Sequence, residues 1–425
     1  MSRLGVLRQA ISQEALLRHN AVVTGASVGA GLLGFLMHSV LAHQLRPSDY
    51  AAAFSLVSLQ GLTVPATGWL GIVMARTMSV ALAEGSPGPA RALLRRTGLQ
   101  VMAGGVLVAI ALSLLSPPIA SLLRVQPGWL VAAALALPFL VALPLVTGAL
   151  QGAQRFAALS LVLLAQPALR LAAAFILGRA WGGAGVVAGV SLGTAATLLV
   201  AAGMVRSDLV GGSNPPAWRS LGGYSVVLIV SGLAQAVLLS TDILLAKALL
   251  PPAEAGGYAA IAVLGRAIYW GATSVAIVLF PKVIHRERQG GGAMQLLGPS
   301  LLLTALGGGA SLVAFTLAAR PVIGAFAGSA YLGAAPYLGA YALGMSLLGG
   351  ATVILAVHQT RSQPAFLVPL VAVAALEPIG ILLWHAGIGQ VVAVTDASMA
   401  LLFAGTAVAL LVGNRLDNAA MPAAP

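Results

Sequence analysis

Cysteine is absent and charge is scarce. With no cysteine among 425 residues, disulfides, thiol nucleophiles and cysteine metal sites are excluded. Charged residues make up 8% of the chain and aromatic residues 5%, where a soluble domain carries about a quarter charged residues. Also missing are a nucleotide-binding loop, an HExxH or GxSxG motif, and paired carboxylates at catalytic spacing in a loop. Neither an enzyme active site nor a cofactor is therefore expected. What the chain has instead is 59% hydrophobic residues and a mean hydropathy of +0.98, more than a water-exposed fold can bury.

Uncharged stretches run over 19–45, 97–123, 125–154, 180–205, 220–241, 289–319 and 321–360, each at least the length of about 20 residues that crosses a bilayer as helix. Transmembrane strands are short and alternate, so these long apolar runs predict an all-α membrane protein. Breakers and charges place about twelve spans, at 19–44, 51–79, 97–120, 127–150, 157–178, 181–205, 222–249, 255–284, 294–318, 332–358, 364–386 and 388–413. Fourteen basic residues then fall on the face holding both termini and five on the other, with Arg76, Arg170 and Arg266 inside spans, which accounts for all 22. Cytoplasmic loops carry the excess of Lys and Arg, so both termini are expected to be cytoplasmic. Topology thereby explains the net charge of +12, and no nucleic-acid partner is implied. The first eighteen residues mix charges with Leu4, Val6, Leu7, Ile11, Leu16 and Leu17, as in a helix lying on the membrane surface; a disordered leader is the other reading. No removable signal peptide is expected.

The chain repeats itself. Leu45-Arg46-Pro47-Ser48-Asp49-Tyr50-Ala51 opens the second span, and Leu250-Pro251-Pro252-Ala253-Glu254-Ala255-Gly256 opens the eighth. Pro47 aligns with Pro252 and Asp49 with Glu254, at an offset of 205. Six spans separate the copies, an even number, so the two halves run in the same direction through the membrane. The expected division is a cytoplasmic amphipathic segment at 1–18, a first lobe at 19–212, a second at 213–414 and a cytoplasmic tail at 415–425, with a linker at residues 211–216.

Twelve spans in two parallel halves, each with a proline and an acid between its first two spans, resemble the multidrug/oligosaccharidyl-lipid/polysaccharide (MOP) exporter superfamily. Leu45-Arg46-Pro47-Ser48-Asp49-Tyr50, Leu150-Gln151-Gly152-Ala153-Gln154-Arg155-Phe156, Ser240-Thr241-Asp242-Ile243-Leu244-Leu245 and Leu279-Phe280-Pro281-Lys282 resemble its polysaccharide-flippase (Wzx-type) branch. The branch pattern has a glycine after Tyr50, where this chain has Ala51. The resemblance implies a V-shaped, MATE-like pair of lobes. It further implies alternating access that moves an isoprenoid (undecaprenyl) diphosphate-linked oligosaccharide across the bacterial inner membrane, beside polysaccharide polymerase and glycosyltransferase proteins.

An ionisable residue inside hydrocarbon is costly and so marks a candidate site. Arg76, Arg170 and Arg266, with His38, are the candidates for binding the lipid-linked glycan, because a guanidinium stays charged and offers paired donors to phosphate. Snorkelling of Arg76, and ion pairs of Arg170 or Arg266 with Glu377 or Asp242, are the structural alternatives. Asp242, Glu377 and Asp396 are the candidates for coupling to H+ or Na+, against simple charge balance. Superposing the halves pairs His38 with Asp242 and Arg170 with Glu377. The rival functions are a cation-coupled multidrug or metabolite exporter of the MATE type, and a non-transporting membrane subunit of a polysaccharide synthase complex.

Overall fold

The computed structural model describes residues 3–209, 223–288, 294–360 and 364–420, and every regular element among them is helical. In chain order these are α1 (Arg3–Gln44), α2 (Pro47–Gly61), α3 (Thr63–Ala83), α4 (Gly88–Leu114), α5 (Ser116–Leu122), α6 (Pro127–Ala134), α7 (Leu137–Gly152), α8 (Phe156–Met204), α9 (Arg206–Leu209), α10 (Gly223–Leu238), α11 (Thr241–Leu249), α12 (Pro252–Arg288), α13 (Met294–Leu317), α14 (Ala319–Ala327), α15 (Ala335–Thr360), α16 (Leu367–Leu383) and α17 (Ile388–Ala420). The expected linker at residues 211–216, Arg219 and Arg361 lie outside the described residues. The backbone of residues 3–18 is helical and continuous with the first span, while its side chains are outside the description.

Among the described residues ten helices are long and apolar enough to cross a membrane, against twelve expected. Two local features account for the difference. One of the ten, Phe156–Met204, has 49 residues, about 74 Å of helix and more than twice the hydrocarbon thickness of about 30 Å. It reverses at Gly182, whose φ of 60° and ψ of −141° suit glycine, so the expected fifth and sixth spans form one hairpin. Its arms close on glycine: a Cβ on Gly189 would lie 2.5 Å from the Ala173 backbone, and one on Gly193 would lie 2.6 Å from that of Arg170. The expected second span is instead broken, ending as α2 at Gly61 and resuming as α3 at Thr63. Breaks also divide the fourth span between α6 and α7, ahead of Pro138, and the seventh at Leu239–Ser240 between α10 and α11.

Large apolar side chains such as Leu107, Ile277, Leu302 and Val408 stand exposed, which suits contact with lipid tails. Burial follows the repeat. The third span, Gly88–Leu114, and the ninth, Met294–Leu317, are the least buried, at 17% and 11% of their apolar windows. The spans that follow them, Pro127–Gly152 and Ser329–Gln359, reach 61% and 78%. The chain is a multi-pass helical membrane protein.

The helices gather into two compact units. Unit 1 comprises Met1–Gln44, Thr63–Ser121 and Val125–Gly223; unit 2 comprises Leu45–Leu62, Leu122–Arg124 and Tyr224–Pro425. In unit 1, α8 packs on α1, α6 and α7, and α7 also carries α3 and α4. In unit 2, α15 is the central helix, bearing α12, α13 and α17, with α2 laid along α12. The motif that repeats explains why α2 sits there. Pro47 and Pro252 each open a helix, where a missing N–H costs nothing, with Asp49 and Glu254 in the first turns, where the helix dipole favours an acid. The two copies then meet: a Cβ on Gly256, the position equivalent to Ala51, would lie 2.5 Å from Pro47. Tyr50 stacks on Phe54 and meets Tyr331 edge-on at 5.8 Å, and the Tyr331 hydroxyl donates to Leu45 O at 3.4 Å. Glu254 accepts the free N–H of Ile388 at 3.2 Å, capping α17. The short piece Leu122–Arg124 is held by Lys247, which donates to Arg124 O at 3.1 Å, while the Arg124 guanidinium donates to Leu250 O at 3.4 Å.

Candidate functional site

The break between α10 and α11 has a chemical product. It starts a helix inside the apolar layer and puts Asp242 in the first turn, where free N–H groups and the helix dipole stabilise a carboxylate. Asp242 has no exposed area. Its Oδ1 accepts from Arg266 Nη2 of α12 at 2.6 Å. Its Oδ2 accepts from the Tyr258 hydroxyl at 2.9 Å and the Tyr341 hydroxyl at 3.0 Å. The two tyrosine rings meet edge to face, 5.7 Å apart and inclined at 83°. Gly265, next to Arg266, makes room for this: a Cβ there would run into the Tyr341 ring. Arg266 also lies over the ring of Phe54, on α2, with its Cζ 6.0 Å from the centroid.

Glu377, on α16, lies within electrostatic reach of this group and is wholly buried. The buried hydroxyl of Thr395 on α17 is the hydrogen-bonding group beside its carboxyl, and neither carboxyl oxygen meets full hydrogen-bond geometry with it or with any other described group. The structure thus brings together Asp242, Arg266 and Glu377. Asp396, one residue from Thr395, is separate: it is partly buried against Gly344 of α15, where a Cβ would displace its carboxylate, and its Oδ1 is unpartnered.

Unit 1 holds the other candidates. Arg170 lies on the first arm of α8, partly buried, with its Nε fully buried and unpartnered and with no carboxylate in ion-pairing distance among the described residues. Arg76 is exposed on α3, and His38 is half-buried on α1. Nearby, His43 donates to Ser39 O at 2.9 Å, a local bond within α1. At the loop end of the unit, Asp208 bridges Arg91 and Arg155, 3.4 Å from each.

Sequence reasoning named the three charged members of the unit 2 cluster but not Tyr258, Tyr341 or Thr395. A signal was available. The chain has only 7 tyrosines, and a tyrosine buried in an apolar span must find a partner for its hydroxyl.

No protein-family model and no curated protein matches the sequence. Solved structures do match. An inward-facing multidrug resistance transporter of the MATE family, in the MOP superfamily, aligns with a TM-score of 0.67 at 14% identity, covering 92% of this chain and 95% of that one. The lipid II flippase MurJ, in an inward closed conformation, aligns with a TM-score of 0.70 at 14% identity, covering 91% and 87%. The Vibrio cholerae MATE transporter VcmN gives 0.59 at 15% identity, covering 95% and 98%. Across nearly its whole length, the chain has the fold of the MOP superfamily, shared by MATE transporters and the lipid II flippase MurJ.

Proposed function

We propose that the protein is a flippase of the polysaccharide branch of the MOP superfamily. It moves an isoprenoid diphosphate-linked oligosaccharide across the bacterial inner membrane by alternating access, for polysaccharide, O-antigen or exopolysaccharide assembly. The observation that carries this reading is the segregation of charge. Within the expected spans of unit 1 the described ionisable side chains are Arg76, Arg170, His38 and His43, with no acid among them. In unit 2 the three acids Asp242, Glu377 and Asp396 outnumber the two fixed cations Lys247 and Arg266. A lone guanidinium in an apolar surround seeks an anion from outside the protein, and a diphosphate meets its forked donors. An exporter of organic cations needs an accessible carboxylate. Asp242 is already bonded by three donors and Glu377 is sealed from solvent, so neither is available to such a substrate. Asp242, Arg266 and Glu377 serve coupling to an ion gradient in this reading, and Arg170 serves the substrate.

The test is reconstitution. Liposomes containing the protein are loaded with a fluorescent undecaprenyl diphosphate-linked glycan, and flipping is read by enzymatic access to the outer leaflet. Arg170→Ala lowers flipping on the order of 10- to 100-fold if the reading holds. Wild-type protein that ignores the glycan but extrudes ethidium overturns it.

A further inference from the structure

The coupling ion is left open by this reading, and the geometry around Asp242 narrows it. A hard metal cation binds several oxygens at once, on the order of six, with their lone pairs turned towards it. Around Asp242 the arrangement is the reverse. One oxygen is held by a guanidinium and the other by two hydroxyls, all three presenting hydrogens. A second cation approaching this carboxylate would face a fixed positive charge in hydrogen-bond contact with it. Arginine remains charged at any accessible pH, so the position stays filled.

Glu377 is the opposite case. It has no exposed area, and neither oxygen meets full hydrogen-bond geometry with a described group. The groups that face it are Asp242 from α11, Arg266 from α12, Tyr341 from α15 and Thr395 from α17. An ionised carboxylate with only one hydroxyl beside it, and a guanidinium already held by another carboxylate, is costly in an apolar interior, whereas the neutral acid fits.

We infer that Arg266 is a built-in counter-cation occupying the place of a metal ion at Asp242, and that the exchangeable ligand of this cluster is a single proton carried by Glu377. With the proton the Asp242, Arg266 and Glu377 set is neutral; without it the set carries one negative charge, and two carboxylates compete for one guanidinium. Arg266 Nε is buried and unpartnered, so it is the donor free to turn to Glu377. Proton release therefore drives a change of partner between α12 and its neighbours. The inference rests on the transport reading for its purpose but not for its test.

The experiment uses full-length protein in nanodiscs without glycan. Infrared difference spectra across a pH step report the carbonyl stretch of any protonated carboxylic acid, and the chain has only 10 Asp and Glu residues to assign. The expected result is a band that disappears in Glu377→Gln and persists in Asp396→Asn. Saturable binding of radioactive sodium is expected to be absent in wild type and to appear in Arg266→Gln, which uncovers Asp242. Should Arg266→Gln fail to fold, the wild-type measurement still decides. Saturable sodium binding to wild type that is lost in Asp242→Asn overturns the inference, as does a band that survives Glu377→Gln. Either failure leaves the glycan-flipping assay standing, and failure of that assay leaves the proton site intact.

Discussion

Asp242 and Arg266, 24 residues apart in sequence, form an ion pair of 2.6 Å between α11 and α12 with the carboxylate wholly buried. Removing one partner of such a pair strands the other in the apolar interior, at a cost of roughly 3–5 kcal/mol. Arg266→Met is accordingly expected to lower the melting temperature in detergent sharply. The double variant Arg266→Met/Asp242→Asn is expected to regain most of the loss, because asparagine still accepts from Tyr258 and Tyr341. Equal melting of the single and double variants would show that the pair is not what holds these helices.

Arg170 makes the contrary prediction for stability. With no ion-pair partner among the described residues, its replacement relieves a desolvated charge, so Arg170→Ala should melt no lower than wild type. Flipping should fall on the order of 10- to 100-fold, as expected for charge-assisted bonds of about 1.5–3 kcal/mol. Arg170→Lys should be intermediate, keeping the charge and losing the planar fork. Wild-type flipping by Arg170→Ala removes the diphosphate assignment.

The hairpin of α8 can be probed by single methyl groups. A Cβ at Gly189 would lie 2.5 Å from the backbone of Ala173, whereas one at Gly203 meets nothing within 4 Å. Gly189→Ala should cost about 1–3 kcal/mol through overpacking. Gly203→Ala, in the same helix, should stabilise by about 0.5–1 kcal/mol through helix propensity. The comparison is read by chemical denaturation, and an equal response at both positions would mean that the arms do not close on glycine.

Topology has a direct test because cysteine is absent. Single cysteines introduced at Ser86 and Gly333 report sidedness to a membrane-impermeant maleimide without removing any native thiol. Labelling of Ser86→Cys only from the cytoplasmic side, and of Gly333→Cys only from outside, is expected from the distribution of Lys and Arg. The opposite pattern inverts the protein.

The apolar runs and the paired Pro–acid motifs were enough to read the helical membrane class, because both express local physics: helix length against bilayer thickness, and the chemistry of a helix start. The fifth and sixth spans were expected to part at 178–181, and the reversal falls at Gly182, the second residue of the expected sixth. The break at Leu62 was half legible: Pro65 has no N–H to return to Gly61, which marks a weak point in the run 51–79, but a proline inside a span commonly leaves only a kink. The packing that seats α2, chiefly Tyr50 on Tyr331 and Pro47 on Gly256, is distant in sequence and was not legible. The partners of Asp242 were hidden for the same reason. Arg266 was one of several candidate cations, and the tyrosines become distinctive only when α12 and α15 bring their hydroxyls to one carboxylate.

The placement of α2 bears on how such a molecule is inherited and engineered. A duplicated gene suggests two self-sufficient modules, yet the second unit contains Leu45–Leu62, donated from the first half of the chain. A ribosome that has finished the first six spans has therefore made all of the first unit and part of the second, while the last six spans alone lack a wall of their own. Expressed alone, the second half should be cleared by membrane proteases and be rescued by co-expression of the first half, whereas the first half should persist without it.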